Sequence, residues 1–89
     1  MAQHHNAHLR QQLGARLRAL RTRAGIMSQE KLADKAGVHR TYVGRIERGE
    51  SGITVEALAA ILAPLGVSLR EFFQPFPHPM RLRSPRRRP

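Results

Sequence analysis

The stretch SQEKLADKAGVHRTYVGRIERG at residues 28–49 decides the fold of this chain. Ser28 is a good N-cap residue, and Glu30 places negative charge at the positive end of the helix dipole, so a helix is predicted to begin directly after Ser28. Gly37 supplies the positive φ that ends a helix and redirects the chain. A second short helix is predicted at residues 39–48. Two short helices joined by a tight turn form a helix-turn-helix motif.

The apolar positions of these two helices predict which face of the second helix points outward. Val43 and Ile46 are expected to pack against Leu32 and its neighbours on the first helix. The outward residues are then Arg40, Thr41, Gly44, Arg45 and Arg48, with Tyr42 beside them. This face carries three guanidinium groups and nothing acidic, and it fits the DNA major groove, where arginine donates to guanine and threonine contacts the thymine methyl group. Tyr42 is expected to contact the DNA backbone or a base edge.

Residues 13–73 resemble the Cro/repressor-type (XRE-like) helix-turn-helix regulators. The run HRTYVGRIERGE at residues 39–50 is most similar to the controller proteins of restriction-modification systems. These resemblances imply a lambda-repressor-like DNA-binding domain that regulates transcription. Controller proteins commonly carry an arginine and an asparagine just after ERGE, where this chain has Ser51 and Gly52.

The resemblance also implies roles for individual residues. Gln29 is expected to bind a DNA phosphate together with the free N–H groups of the helix N-terminus, and Ser28 is assigned to the same contact. Arg21 is expected to form a structural ion pair with Glu47 across the domain.

Length and charge limit the possible functions. The 89 residues allow one small domain with a single modest core. Sixteen Lys and Arg residues against six Asp and Glu residues give a net charge of +10, which predicts binding to polyanions. Without cysteine there is no disulfide framework and no thiolate metal site, and no apolar run reaches the roughly 18 to 20 residues of a membrane span. A cytoplasmic protein is therefore predicted.

Catalytic motifs are missing from the sequence, which has no glycine-rich phosphate loop, no His-Glu-x-x-His and no nucleophile elbow. The six acidic residues are scattered over different predicted elements. His4, His5 and His8 lack supporting carboxylates, so we interpret them as solvated residues and not as metal ligands. The sequence predicts no enzyme activity and no metal, cofactor or small-molecule ligand.

Three further helices complete the predicted domain. The apolar stripe of the first helix is Leu9, Leu13, Leu17, Leu20 and Ala24, with Asn6 as its cap. Thr54 is expected to cap a fourth helix, which Pro64 interrupts in its last turn. Ser68 and Glu71 form a capping box for a short fifth helix. The predicted fold is therefore an all-α, five-helix domain.

All three phenylalanines lie close together near the end of this domain. Phe72 is expected to fill the core, whereas Phe73 and Phe76 are expected to lie exposed near Leu69 and Pro64. An exposed apolar patch on a small domain often marks a partner surface, and DNA readers of this kind commonly bind as two-fold dimers. Pro64, Leu69, Phe73 and Phe76 are therefore predicted to form a homodimer interface, with an ordinary core cluster as the alternative.

The chain divides into three predicted parts. A flexible segment at residues 1–8 precedes the DNA-binding domain at residues 9–76. Residues 77–89 contain five arginines among prolines and are predicted to form a disordered basic tail. This tail either adds non-specific affinity for phosphates or only improves solubility.

The sequence thus predicts a homodimeric, sequence-specific transcriptional regulator of double-stranded DNA, with an inverted-repeat operator. Two alternatives stay open. One is an antitoxin-like or adaptor protein whose main partner is another protein, with DNA binding secondary. The other is a nucleoid-type binder that uses charge without reading sequence.

Overall fold

A computed structural model describes residues 6–76, which form five α-helices and one 3₁₀ turn and contain no strand. The helices are α1 (Ala7–Arg23), α2 (Gln29–Ala36), α3 (Arg40–Glu47), α4 (Val55–Leu62) and α5 (Leu69–Phe73), with the 3₁₀ turn Ala63–Leu65 before α5. The predicted all-α, five-helix fold is confirmed. The predicted basic tail at residues 77–89 lies outside the described residues.

Short-range capping explains where most of the helices begin. Asn6, Ser28, Thr54 and Ser68 each accept a hydrogen bond from the N–H group three residues later, at 2.9 to 3.0 Å. The Glu71 carboxylate also accepts from the Ser68 N–H at 3.0 Å, which completes the predicted capping box. Because Asn6 caps α1, residues 7 and 8, which the sequence assigned to the segment before the domain, are helical.

Helix α3 is one residue shorter at each end than predicted. The ring Nδ1 of His39 accepts a hydrogen bond from the Thr41 N–H at 3.1 Å, so His39 is the N-cap and the helix begins at Arg40. Gly37, at φ 74°, ends α2 in the left-handed conformation as predicted. The fourth helix is shorter than predicted, because Pro64 converts its last predicted turn into the 3₁₀ turn.

One apolar core joins all five helices. Its buried members are Leu17, Leu20, Ile26, Leu32, Ala33, Val43, Ile46, Leu58, Ile61, Leu62 and Phe72. Val43 and Ile46 pack into it with Leu32 and Ala33, as the apolar pattern predicted. This packing fixes the rotation of α3 about its own axis.

Helix α1 crosses directly over the carboxy-terminal end of α3 at Gly14. A methyl group added to Gly14 would lie 2.2 Å from the Ile46 carbonyl oxygen and 2.7 Å from the Glu47 carbonyl oxygen. Only glycine allows the two backbones to approach this closely. The position of α3 is therefore set by α2 on one side and by α1 at its end.

Candidate nucleic-acid interface

The exposed side of α3 carries most of the residues that the sequence assigned to DNA. Arg40, Thr41, Arg45 and Arg48 are exposed, and Tyr42 is half-buried against the core. Val43 and Ile46, on the opposite side, are 0% and 2% exposed. Because the buried side is held in the core, the rotation of α3 is fixed, and its exposed side chains point away from the protein in one direction.

A cleft of 390 Å³ separates the exposed side of α3 from the first turn of α2. Its lining residues are Gln29, Glu30, Arg40, Thr41, Gly44 and Arg48. The structure therefore brings together residues from both helices of the motif, as expected for a surface that binds an extended ligand.

Gly44 is the exception among the residues predicted to lie outward, because it is buried. A methyl group at Gly44 would lie 2.9 Å from Oε1 of Gln29 and 3.0 Å from Nη1 of Arg48. The ends of these two side chains cover Gly44, which lines the cleft beneath them. The prediction that Gly44 lies on the exposed face is wrong for this reason.

A buried polar network lies beneath the cleft. Arg21 on α1 donates to the Glu47 carboxylate from Nε at 2.7 Å and from Nη2 at 3.1 Å, which confirms the predicted ion pair. Its third nitrogen, Nη1, donates to the Ile26 carbonyl oxygen at 2.9 Å. Such a two-point arginine–carboxylate pair is geometrically specific as well as strong.

Gln29 is the link between this network and the cleft. Its Nε2 donates to Oε1 of Glu47 at 2.9 Å, while its Oε1 faces Gly44. The sequence pattern did not reveal this hydrogen bond, because its partners are 18 residues apart and on different helices. Ser28, which precedes Gln29, uses its hydroxyl oxygen to cap α2.

Two carboxylates from outside α3 reach the arginines of its exposed face. Glu30 on α2 lies 3.3 Å from Nη1 of Arg40. Glu50, just after α3, accepts from Arg48 at 3.0 and 3.2 Å. These hydrogen bonds lower the pKa of Glu50 and raise the pKa of Arg48. Within the described part of the chain, Arg45 has no acidic partner within 4.0 Å.

The residues predicted to form a dimer interface do not all lie on one exposed patch. Phe72 is 1% exposed and fills the core as predicted, while Phe73 is 38% exposed. Pro64, Leu69 and Phe76 are half-buried, and Leu69 and Phe76 pack against the core. The rings of Phe73 and Phe76 are 5.6 Å apart.

Phe73 also lines an apolar hollow of 170 Å³ between α1 and α4. Its lining residues are Leu9, Leu13, Ile53, Thr54, Val55, Leu58 and Phe73. Val55 is 66% exposed at the rim. Sequence reasoning assigned the α1 leucines to the core and overlooked Val55, although an apolar residue directly after the Thr54 cap could have drawn attention to this surface.

Comparison with known proteins identifies the kind of domain that carries this surface. Residues 17–72 match the model of the helix-turn-helix family. The chain belongs to the helix-turn-helix family. This membership makes it a DNA-binding transcriptional regulator, and its family is one of transcription regulators and not of enzymes.

Individual relatives are two control proteins and a restriction-modification controller protein of known structure, which confirms the predicted resemblance. Control protein C.BamHI from Bacillus amyloliquefaciens is 38% identical over 58 residues, covering 65% of this chain and 72% of that protein. Control protein C.MunI from a Mycoplasma species is 37% identical over 60 residues, covering 67% and 81%. The crystal structure of the restriction-modification controller protein C.AhdI from Aeromonas hydrophila matches with a TM-score of 0.71 and 37% identity, covering 75% of this chain and 96% of that one.

At residues 6–76, none of the helices is both long and apolar enough to cross a membrane. The same residues contain no group of three or more His, Cys, Asp and Glu side chains that could hold a metal ion.

Proposed function

We propose that the chain acts in the cytoplasm as a homodimer that reads double-stranded DNA by inserting α3 into the major groove. The observation that carries this proposal is the fixed rotation of α3, whose buried Val43 and Ile46 direct Arg40, Thr41 and Arg45 outward. Side chains held in this way approach base edges in one register, which is the condition for direct readout. Tyr42, at the edge of this face, is proposed to contact the DNA backbone or a base edge.

The first turn of α2 is proposed to bind a phosphate of the DNA backbone. Nε2 of Gln29 has two hydrogens and donates one of them to Glu47, which leaves the second for a phosphate oxygen. The N-terminus of α2 adds free N–H groups and the positive end of the helix dipole. Ser28 lies at the same place, and contacts of this kind fix the orientation of a protein on DNA.

The apolar hollow around Phe73 and Val55 is proposed to contribute to the homodimer interface, together with the predicted Pro64, Leu69 and Phe76. Two copies related by a two-fold axis present two α3 helices to successive major grooves, so the operator is expected to be an inverted repeat. Support for this surface comes from the exposed fractions of Val55 and Phe73, which are 66% and 38%.

Sedimentation of the free chain tests this interface. Phe73→Asp and Val55→Asp are expected to shift the chain from dimer to monomer at tens of micromolar. Met27→Asp is the matched control, because Met27 is 76% exposed but lies in the turn between α1 and α2. A wild-type monomer, both free and on DNA, would contradict the homodimer.

The exposed hollow also fits an alternative function, in which the chain is an antitoxin-like or adaptor protein. In that case a different protein would cover Phe73 and Val55, and the chain alone would be monomeric. Sedimentation therefore separates the two proposals, since a monomer that still carries the exposed hollow favours the adaptor.

Selection of bound sequences from a random duplex pool tests the main proposal. We expect an inverted repeat, because that result reports sequence reading and dimerisation together. Recovery of unenriched sequences would favour a binder that uses charge alone. Similarity to two control proteins and to a restriction-modification controller protein further supports a regulatory role in such a system.

A further inference from the structure

Glu50 holds the guanidinium of Arg48 at two points. Nε of Arg48 donates to Oε2 at 3.0 Å, and Nη2 donates to Oε1 at 3.2 Å. A two-point pair fixes the plane of the guanidinium as well as its position. We propose that Glu50 is a positioning residue that orients Arg48 for DNA recognition, an inference that rests on the proposed function.

The edge of the guanidinium that Glu50 leaves free lies beside Gly44, another residue that lines the cleft. Nη1 of Arg48 makes no hydrogen bond with Glu50, and it lies 3.0 Å from the place that a methyl group on Gly44 would occupy. Arg48 also lines the 390 Å³ cleft. Nη1 and the second hydrogen of Nη2 therefore provide two parallel donors, the pattern that matches O6 and N7 of guanine or two phosphate oxygens.

The carboxylate of Glu50 also has a second effect on DNA affinity, which is opposite in sign to the effect of positioning Arg48. Its charge repels phosphates, so charge alone predicts that removing it raises affinity for every duplex alike. Positioning predicts the reverse, namely a loss of affinity that is largest on the preferred site. The side chains of Arg48 and Glu50 are 54% and 53% exposed, so their pair contributes little to folding. Substitution of Glu50 therefore reports on DNA binding.

Glu30 provides a matched control in the same cleft. It carries the same charge as Glu50, but the distance between its carboxylate and Nη1 of Arg40 is 3.3 Å, longer than either of the two hydrogen bonds between Glu50 and Arg48. A longer contact between exposed side chains holds the plane of a guanidinium less firmly than a two-point pair does. Glu30→Gln is therefore expected to raise affinity slightly for all duplexes, whereas Glu50→Gln lowers affinity for the preferred duplex.

The test uses the full chain, the duplex that it selects from a random pool, and every single-base variant of that duplex. Glu50→Gln and Glu50→Ala are expected to bind the preferred duplex roughly tenfold more weakly and to lose base preference at one position per half-site. A double-mutant cycle with Arg48→Ala isolates positioning, because Glu50→Ala should cause no further loss once Arg48 is gone. Melting curves establish that each variant is folded.

Two results would overturn this inference while the proposed function stands. One is a Glu50→Gln variant whose affinity rises by the same factor as that of Glu30→Gln, or does not change. The other is a cycle in which the effects of Glu50→Ala and Arg48→Ala add. Failure of the wild-type chain to enrich any sequence is a different result, because it contradicts the proposed function and this inference with it.

Discussion

Arg21 and Glu47 join the first and third helices through two hydrogen bonds of 2.7 and 3.1 Å, with the Glu47 side chain only 1% exposed. The same carboxylate accepts a hydrogen bond from Gln29 at the edge of the cleft. One buried acidic residue therefore supports the packing of α1 on α3 and also the placement of a side chain at the proposed DNA surface.

Replacing Glu47 with alanine is expected to destabilise the domain strongly. The Arg21 guanidinium would stay buried without its partner, and breaking a buried pair in this way costs on the order of 3 kcal/mol. Chemical denaturation of the free chain measures the loss. Asp34→Ala is the control, because it removes an exposed carboxylate from α2. A Glu47→Ala chain that is as stable as wild type would show that the ion pair contributes nothing to the fold.

Gly14→Ala is also expected to destabilise the domain, although alanine is the better helix former. The added methyl group would meet the backbone carbonyl oxygen of Ile46 at 2.2 Å, so α1 would have to move away from α3. Overpacking of this kind costs roughly 1 to 3 kcal/mol, which exceeds the gain in helix propensity. Thermal unfolding tests this, and an unchanged or higher melting temperature would contradict the close approach of the two helices.

Gly44→Ala, in contrast, is expected to keep or raise the stability of the domain and to weaken DNA binding. Here the added methyl group meets the ends of two side chains, Oε1 of Gln29 at 2.9 Å and Nη1 of Arg48 at 3.0 Å, which can move aside. Stability should hold or rise by up to about 1 kcal/mol from the better helix propensity of alanine. DNA affinity should fall, because both displaced groups are proposed DNA contacts.

Thermal unfolding and duplex binding of Gly44→Ala are measured side by side. Loss of stability without loss of binding would mean that Gly44 serves the core and not the cleft. Gly14→Ala is the control, because it adds the same methyl group to a helical glycine at a different position in the domain.

Features that depend on neighbouring residues were predictable from the sequence. Asn6, Ser28, Thr54 and Ser68 cap helices through bonds to residues three positions away, so their roles can be recognised in a short window. The rotation of α3 was also predictable, because it follows from helical spacing of apolar residues.

Features that arise from packing between helices were not predictable in the same way. The burial of Gly44 requires Gln29 on α2 to fold across α3, and the carboxylate of Glu30 reaches Arg40 only once the two helices are packed. Phe73 lies 5.6 Å from Phe76, and it also lines the hollow between α1 and α4, whose residues come from distant parts of the sequence. The ion pair of Arg21 and Glu47 was expected only through family resemblance.

Arg40 and Arg45 are expected to determine base preference, whereas the basic tail is expected to affect only overall affinity. Alanine at either arginine should cost roughly 1 to 3 kcal/mol on the preferred site and relax the choice of base at one position per half-site. Removal of residues 80–89, which include five arginines, should weaken binding to all duplexes alike and reduce the salt dependence.

Competition binding of Arg45→Ala against a matched set of single-base operator variants is the most direct test of readout by α3. Arg45 is the informative arginine, because neither Glu30 nor Glu50 is paired with it. We predict that the variant loses discrimination at one base pair in each half-site and keeps it elsewhere. A uniform loss of affinity across the whole set, with base preference intact, would show that α3 binds phosphates and does not read the sequence.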